Sequence, residues 1–305
     1  MRDERGFALV LTLVVTALMV ALTAELMYQV SVDTSLSRSF RDGQQASLLA
    51  ESGITGAMKL LQVSLASQGY SSPSLLAKPF AWEDEIGSIA VNIADENGKI
   101  CLNGLVLPNG TVDDFTMNAL KRLGQRLQIP DDCWNALADW LDSDDQPRPG
   151  GAETSYYKTL NPPYAAHNAK LATLSELSLV KGFTPDIIAR LRPFVTIYFD
   201  QPNAPLANIT INTAPLEVLT ALDSRIDDSM ANRIIEARNL QPFTSPGDLS
   251  RVDGQIAAAL TGRVIVKGTV FRVTSVAKVG DAARTVEAVV MVTVGLPAIL
   301  SWQEY

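Results

Sequence analysis

The first part of the chain carries one continuous helical pattern of apolar residues. An uncharged apolar run extends from Phe7 to Ala24, and as a helix it measures about 27 Å, close to the thickness of a bilayer's hydrocarbon layer. No proline follows until Pro73. Apolar residues then recur at roughly helical spacing, at Leu26, Val30, Leu36, Phe40, Leu48, Leu49, Ile54, Met58 and Leu61. The pattern predicts one long helix that leaves a membrane and continues as an amphipathic helix.

A short charged segment, Met1 to Gly6, precedes the apolar run. Arg2 and Arg5 lie before the apolar run. Because positive charges favour the inner side of the membrane, they predict that the N-terminus stays inside the cell and that the rest of the chain lies outside. Ala21 and Ala24 offer a cleavage site for a secretory signal peptide, but the run is longer than the apolar core of such peptides. Retention of the helix is therefore the favoured interpretation.

The remaining patterns divide the chain into a small sheet and a helical insertion. Alternation predicts a strand near Ser88–Ala94 and a return strand near Ile100–Leu102, with a turn at Glu96–Gly98 between them. Helical periods dominate from Asp113 to Ala259, and strand patterns return only afterwards, with a hairpin turn at Gly280–Asp281. The predicted fold class is α+β, with a long N-terminal helix and a small antiparallel sheet interrupted by a large inserted all-α domain.

Two stretches of the insertion, Glu176–Phe194 and Glu217–Phe243, share an order of helix, turn, paired isoleucines with an arginine, and a closing Pro-Phe. They resemble the helix-hairpin-helix units of competence DNA-binding proteins. Such units bind phosphate through a glycine-rich turn whose N–H groups point outward, whereas here the turn reads DSRIDDS. The net charge of -8 also disfavours a nucleic-acid backbone. We predict structural packing units and no nucleic-acid partner.

A run of carboxylates follows one predicted helix, in "DWLDSDDQPRPGGAETSYY" from Asp139 to Tyr157. The proline and glycine residues of 147–151 can fold the chain back on itself. Calcium takes about six to eight oxygen ligands, usually from a flexible loop. The spacing is not that of an EF-hand, and a solvated acidic turn is the alternative. The candidate calcium ligands are Asp142, Asp144, Asp145 and Glu153.

The cysteines and the single histidine limit the remaining chemistry. Cys101 and Cys133 are too far apart for a CxxC unit; in an exported chain they either form one disulfide, closing a loop of about 30 residues, or stay as two buried thiols. His167 is the only histidine, and no serine-elbow or HExxH pattern occurs. We therefore predict that the protein is not an enzyme.

The start of the chain resembles the class III signal of the type IV pilin superfamily. A charged leader ending in Gly6, followed by Phe7 and a long apolar helix, carries this resemblance. In that superfamily a membrane peptidase cleaves after the glycine and methylates the new N-terminal Phe, which implies processing between Gly6 and Phe7. Most members have Glu at the fifth mature position, where this chain has Leu11. The departure is expected of a subunit at the tip of a filament.

Five short sequence strings further along the chain indicate one family within this superfamily. They are "ADWLDSDDQPRPGGAETSYY", "NPPYAA", "LSELSLVKGF", "INTAPLEVLTAL" and the closing "LSW". Together with the leader they resemble general secretion pathway protein K, the family of large minor pseudopilins of type II secretion systems, over essentially the whole chain. The resemblance implies a pilin-like fold with an inserted helical domain, bound calcium, and a place at the tip of a periplasmic pseudopilus with minor pseudopilins I and J. It also implies contact with the major pseudopilin G and the prepilin peptidase, and single-pass anchoring in the bacterial inner membrane with the C-terminal domain in the periplasm.

The predicted organisation has five parts. They are the leader 1–6, the transmembrane segment 7–24, the pilin-like helix and first strands 25–105, the inserted helical domain 106–263, and the C-terminal strands 264–305. Two alternatives remain open, a minor pilin or tip protein of a type IV pilus and a membrane-anchored DNA-uptake protein. Neighbouring genes would separate the first from a secretion subunit, and a basic face on the helical module would support the second.

Overall fold

The structure is a computed structural model that describes residues 3–76, 78–201, 204, 206–293 and 296–305. The leader residues Met1 and Arg2 lie outside the described residues. The α-helices are α1 (Asp3–Gln68), α2 (Pro73–Leu76), α3 (Asp114–Leu127), α4 (Asp131–Leu141), α5 (Thr154–Tyr157), α6 (Pro185–Leu191), α7 (Leu216–Leu222), α8 (Asp228–Leu240) and α9 (Gly254–Ala259). The strands are β1 (Phe80–Glu83), β2 (Ser88–Asp95), β3 (Ile100–Cys101), β4 (Val195–Thr196), β5 (Ile209–Thr210), β6 (Val264–Ile265), β7 (Val270–Val279), β8 (Ala282–Met291) and β9 (Ala298–Glu304).

The long helix α1 confirms the first prediction and has two different environments. Its N-terminal part has the length and apolar composition of a membrane-spanning helix. Every residue from Gly6 to Arg41 is exposed, and the side chains of Leu36 and Phe40 are 64% and 71% exposed. We name residues 26–40 the stalk. Its periodic apolar positions therefore face no core among the residues that the structure describes.

The C-terminal part of α1 packs on a five-stranded antiparallel sheet with the strand order β1-β2-β7-β8-β9. Small residues and large apolar residues share this contact: Ile54 and Leu61 of the predicted pattern are buried, whereas Leu48 is 63% exposed. At Gly53 an added Cβ would lie 2.3 Å from Ser275 Oγ, so only glycine permits this close approach. The buried positions of α1 follow a helical spacing and are Gly43, Ala46, Ala50, Gly53, Ile54, Ala57, Leu61, Ser64 and Leu65.

The sheet confirms one predicted turn and corrects another. β7 and β8 form a hairpin around Gly280–Asp281, where Gly280 has a φ of +55° that glycine adopts without strain. β2 lies where a strand was predicted, but the predicted return strand is wrong. Residues Glu96–Gly98 form a 3₁₀ turn that sends the chain into the insertion, and β3 pairs in parallel with β4. The two sides of β2 are already occupied by β1 and β7.

The inserted domain runs from β3 to Val266 and consists of two units with the same plan. In each unit a short strand is followed by helices, and a second short strand then pairs with the first in parallel. β3 pairs with β4 in the first unit, and β5 pairs with β6 in the second. The predicted boundaries of the insertion, 106–263, thus fall a few residues inside the paired strands.

A buried asparagine closes each unit in the same way. Asn103 Nδ2 donates to the carbonyl oxygens of Leu171 and Ile197 at 3.0 and 2.9 Å, and its Oδ1 accepts from Leu171 N at 2.7 Å. Asn212 Nδ2 donates to the carbonyl oxygen of Phe243 at 2.8 Å and to one just after β6 at 3.2 Å, and its Oδ1 accepts from Phe243 N at 3.0 Å. Buried amides need such partners, so each asparagine holds the two ends of its unit together.

This arrangement corrects the register of the predicted internal repeat. The strings "ICLN" and "ITIN" open the two units, and Leu171 corresponds to Phe243. The 3₁₀ helix Leu174–Leu179 and α6 therefore correspond to the 3₁₀ helix Pro246–Arg251 and α9. The predicted pairing of Glu176–Phe194 with Glu217–Phe243 is wrong, because Phe194 directly precedes a closing strand whereas Phe243 precedes two further short helices.

An ion network at Glu96 connects the sheet to the insertion. Glu96 is fully buried; its Oε1 accepts from Lys99 Nζ at 2.6 Å and Arg272 Nε at 2.9 Å, and its Oε2 accepts from Thr196 Oγ1 at 2.6 Å. Arg272 also pairs with Glu287 on β8. Burial alone would raise the pKa of Glu96, but Lys99 and Arg272 outweigh it and hold the pKa below its usual value.

The inserted domain lies at the end of α1 that is remote from the membrane-spanning segment. Lys267 Nζ donates to the carbonyl oxygen of Leu65 at 2.9 Å. Ser71 N donates to the carbonyl oxygen of Val266 at 2.9 Å, and Gly268 N donates to Ser71 Oγ at 2.8 Å. The insertion thus extends the pilin-like part of the chain at its distal end.

Replacing Glu96 by Gln tests the network. We expect a loss of about 2 kcal/mol in the free energy of unfolding, because the charged acceptor of two cationic donors disappears, and a fall of about 4–8 °C in Tm. The folded pKa lies below the ordinary value of 4.5, so the stabilisation is present above that value and is lost as pH falls through the folded pKa. The difference between wild type and variant should shrink in acid. Thermal unfolding of the full chain in detergent measures it, with the exposed Glu51→Gln as control; equal Tm values at pH 7 would contradict the role of the network.

Candidate metal centre

The acidic loop occupies a place in the first unit that has no counterpart in the second. Residues 142–170 separate α4 from Leu171, whereas only residues 241–242 separate α8 from Phe243. The structure describes all of residues 142–170, and α5 is the one helix or strand among them. Loops of this length with so little secondary structure are uncommon in compact domains and are usually functional.

Three carboxylates meet where this segment folds back on α4. One oxygen from each of Asp139, Asp142 and Glu153 lies within 4.8 Å of the other two, and the residues are 0%, 2% and 1% exposed. Asp139 lies in the last turn of α4, Asp142 directly follows the helix, and Glu153 directly precedes α5. The helix end and the returning loop thus place three acidic groups in one buried cluster.

Arg148 is the cation that contacts the cluster. Its Nη1 donates to Asp139 Oδ1 at 2.6 Å and also to Asp142 Oδ2, and its backbone N donates to Asp139 Oδ2 at 3.1 Å. Asp142 Oδ1 and both carboxylate oxygens of Glu153 are buried and have no hydrogen-bond partner among the described residues. The cluster therefore contains three buried acceptor atoms that the protein itself leaves unsatisfied.

Burial and mutual repulsion shift the protonation of the cluster. Burial, followed by the charges of Asp139 and Asp142, raises the pKa of Glu153 to about 7. Burial also raises the pKa of Asp142, although Arg148 acts in the opposite direction. Burying a carboxylate without a partner costs free energy. Protonation or a bound cation would reduce this cost in the cluster.

The structure brings two of the four predicted ligands into the cluster and excludes two. Asp142 and Glu153 are members, whereas Asp144 and Asp145 are exposed, and Asp144 Oδ1 accepts from Gln146 N within the loop at 2.8 Å. Asp139 takes their place. Sequence reasoning did not select Asp139, although its spacing of three residues from Asp142 at a helix end puts both side chains on one face.

The loop backbone is fixed against α4 by contacts of its own. Gly151 approaches so closely that an added Cβ would lie 2.0 Å from Asp139 Oδ2. Lys181 Nζ donates to the carbonyl oxygens of Gly150 and Gly151 at 3.1 Å each, and Asn135 Nδ2 donates to that of Pro149 at 2.9 Å. The cluster is therefore built by the fold and not only by an acidic composition.

The cysteines take no part in this site. Cys101 lies in β3 and Cys133 in the first turn of α4, and both are buried free thiols. The disulfide considered from the sequence is not formed in this structure. Burial raises the pKa of the Cys101 thiol to about 12, which keeps it protonated and unreactive.

The turn that resembles a DNA-binding hairpin pairs its charges internally. Arg225 Nε donates to Asp223 Oδ1 at 2.8 Å, and Arg126 from α3 pairs with Asp228 at 2.6 Å. These arginines are occupied by carboxylates of the turn itself, and a phosphate would have to compete with them. The absence of a nucleic-acid partner stays a prediction.

The predicted processing site lies near the beginning of α1. Gly6 and Phe7 are both within the helix, and Phe7 is 72% exposed. Leu11 is 53% exposed on the same helix. The structure shows nothing that would shield this position from a membrane enzyme among the described residues of the chain.

Comparison with known proteins covers most of the chain. Two family models, each described as type II secretion system protein K, match residues 98–200 and 209–265, which are the two units of the insertion. Type II secretion system protein K of Pseudomonas aeruginosa is 30% identical over 92% of this chain and 86% of its own length. The protein of the same description from Aeromonas hydrophila is 26% identical over 94% and 93%.

A solved structure shares this architecture over most of the chain. One chain of the GspK–GspI–GspJ complex from the type 2 secretion system of enterotoxigenic Escherichia coli superposes with a TM-score of 0.70 and 22% identity, over 88% of this chain and 99% of that chain. The fold is therefore pilin-like, with a long apolar helix of membrane-spanning length and composition, a small antiparallel sheet and a helical insertion, and the predicted fold class is confirmed. Together with the sequence matches, this establishes the family. The chain belongs to the type II secretion system protein K family.

Proposed function

We propose that the protein is a minor pseudopilin at the tip of the type II secretion pseudopilus. It assembles there with minor pseudopilins I and J, and starts and caps the pseudopilus during protein export across the outer membrane. The observation that carries this proposal is the fold match to a chain of the GspK–GspI–GspJ complex over nearly that chain's whole length. Family membership supports the same role.

The exposed stalk supports assembly with other helical subunits. Apolar side chains such as Leu26, Val30, Leu36 and Phe40 are more than half exposed. Large apolar side chains exposed at helical spacing are typical of a site of interaction with protein or membrane. Helices of pseudopilins I and J, and of the major pseudopilin G below them, would cover the stalk.

The position of the insertion supports a place at the tip. The inserted domain is held by Leu65 and Ser71, at the distal end of α1, where it would block the addition of a further subunit above. Leu11 acts in the same direction, because it lacks the carboxylate through which most superfamily members are thought to register against a neighbour. In this proposal α1 crosses the inner membrane once, and the sheet and insertion lie in the periplasm.

Processing by the prepilin peptidase gives one test. We expect the mature chain to begin at a methylated Phe7, because a charged leader directly adjoins the spanning helix. Mass spectrometry of the membrane-extracted protein identifies the N-terminus. Gly6→Ala should accumulate uncut chain, whereas Gly56→Ala, where a Cβ meets open space on the same helix, should be processed normally. An N-terminus after Ala24 would instead support a removed signal peptide.

Assembly gives the main test. The full chain in detergent should co-purify with pseudopilins I and J. Leu36→Glu combined with Phe40→Glu should reduce the recovered partners at least about tenfold, because two charges would enter an apolar helix contact. Leu240→Glu is the matched control, since Leu240 is 88% exposed on the inserted domain. Failure of wild type to retain either partner, or retention of type IV pilus minor pilins instead, would contradict the proposal.

We also propose calcium as the ion of the carboxylate cluster. Its three unsatisfied oxygens are hard ligands of the kind calcium prefers, and Asp139, Asp142 and Glu153 would hold the ion. The positive charge would replace repulsion between buried carboxylates by attraction. Its role would be structural, fastening residues 142–170 to the end of α4.

Calcium should therefore raise the Tm of the full chain in detergent, followed by tryptophan fluorescence. A ligand that binds the folded state alone contributes about 2.7 kcal/mol at a hundredfold excess over its Kd. Glu153→Gln and Asp142→Asn should abolish the response, while Asp145→Asn, at an exposed position, should retain it. Magnesium should substitute poorly because it demands a tighter octahedron. If the Tm responds neither to calcium nor to a chelator, the proposal of a calcium site is wrong and the three carboxylates are an acidic cluster without a bound ion.

A further inference from the structure

Among the described residues, Arg148 is the positively charged side chain that contacts the carboxylates of the cluster. We propose that Arg148 is a positioning residue for the calcium ligands and that calcium binding depends on it. The inference rests on the proposed calcium site. It assigns to Arg148 the task of holding Asp139 and Asp142 side by side while leaving Asp142 Oδ1 free beside Glu153.

The hydrogen bonds show how one side chain does this. A single guanidinium nitrogen, Nη1, donates to Asp139 Oδ1 and to Asp142 Oδ2. The contact joins one oxygen of each aspartate and fixes the rotation of both carboxylates. Asp142 Oδ1 and both Glu153 oxygens remain unpartnered. Groups that orient metal ligands in this way are part of what makes a site bind tightly.

The charges are consistent with a divalent ion. Three ionised carboxylates and one guanidinium leave a net charge of two negative units in the cluster. A divalent cation would bring the buried group to neutrality, which limits the cost of burying unbalanced charge. Without Arg148 the aspartates would repel each other, and the geometry of the free oxygens would no longer be held.

The direction in which calcium affinity changes on removal of Arg148 tests the inference, because a purely electrostatic role and a positioning role predict opposite directions. A guanidinium near a bound cation repels it, so if Arg148 contributed only its charge, removing it would tighten calcium binding. If Arg148 positions the ligands, removing it weakens binding, and loss of such outer partners typically costs about 10- to 100-fold in metal affinity.

The loop should retain its path when the side chain is changed. The backbone N of Arg148 donates to Asp139 whatever the side chain. Lys181 and Asn135 hold the carbonyl oxygens of residues 149–151. The Arg148 side chain is 24% exposed, so a polar replacement is not forced into an apolar core.

The experiment compares Arg148→Gln and Arg148→Lys with wild type. Calcium is titrated into the full chain in detergent by calorimetry, after circular dichroism has shown that each variant is folded. Arg148→Gln should raise the Kd at least about tenfold. Arg148→Lys keeps a charged donor without the planar guanidinium and should fall between the two. Arg225→Gln, which removes an arginine paired with Asp223 in the second unit, should leave the Kd unchanged.

The possible outcomes distinguish the role of Arg148 from the proposed calcium site on which it rests. A Kd for Arg148→Gln that is tighter than that of wild type, or within threefold of it, overturns the positioning role. If that variant does not fold, a Kd of Arg148→Lys equal to or below that of wild type overturns it. Absence of calcium binding by wild type itself overturns the proposed calcium site, and with it the basis of the inference.

Discussion

Three consecutive residues at the end of β2 hold the two halves of the molecule together. Asp95 Oδ2 accepts from Thr213 Oγ1 of the second unit at 2.9 Å. Glu96 accepts hydrogen bonds from Thr196 of the first unit and from Arg272 of the sheet. Asn97 Oδ1 accepts from Thr269 N and Val270 N at 2.9 Å each, where the chain re-enters the sheet. All three side chains are buried, where such bonds are strong and their loss costly. An insertion of more than half the chain can interrupt a small sheet because both crossing points are fixed at this one corner.

The two units of the insertion are stabilised by the same two features. Each unit is closed by a two-residue parallel pairing and by a buried asparagine that satisfies three backbone groups. The first unit carries the additional segment 142–170, which has few hydrogen bonds of regular structure to support it. The carboxylate cluster lies where this segment returns to α4, so the proposed cation would fasten a segment that the second unit lacks.

The helix α1 connects these parts to the proposed role. Its distal part packs on the sheet through small residues and through Ile54, Leu61 and Leu65. Its first part has the length and composition of a membrane-spanning helix, and the stalk between them exposes apolar side chains that no described residue covers. A helix of this composition is stable when other helices bury its apolar positions. In the proposed assembly the stalk would be one component of a larger helix bundle, with the insertion at the bundle's end.

The sequence by itself determined the features that depend on neighbouring residues. The length of α1, the strand β2, the hairpin at Gly280–Asp281 and the acidic loop all follow from local periodicity and turn chemistry. Only the tertiary structure decided that β3 pairs with β4, that the repeat runs from "ICLN" to "ITIN", and that Asp139 rather than Asp144 joins Asp142 and Glu153. These outcomes depend on which distant segments meet, and a carboxylate's role is set by the burial and partners that such contacts create, which no local pattern specifies.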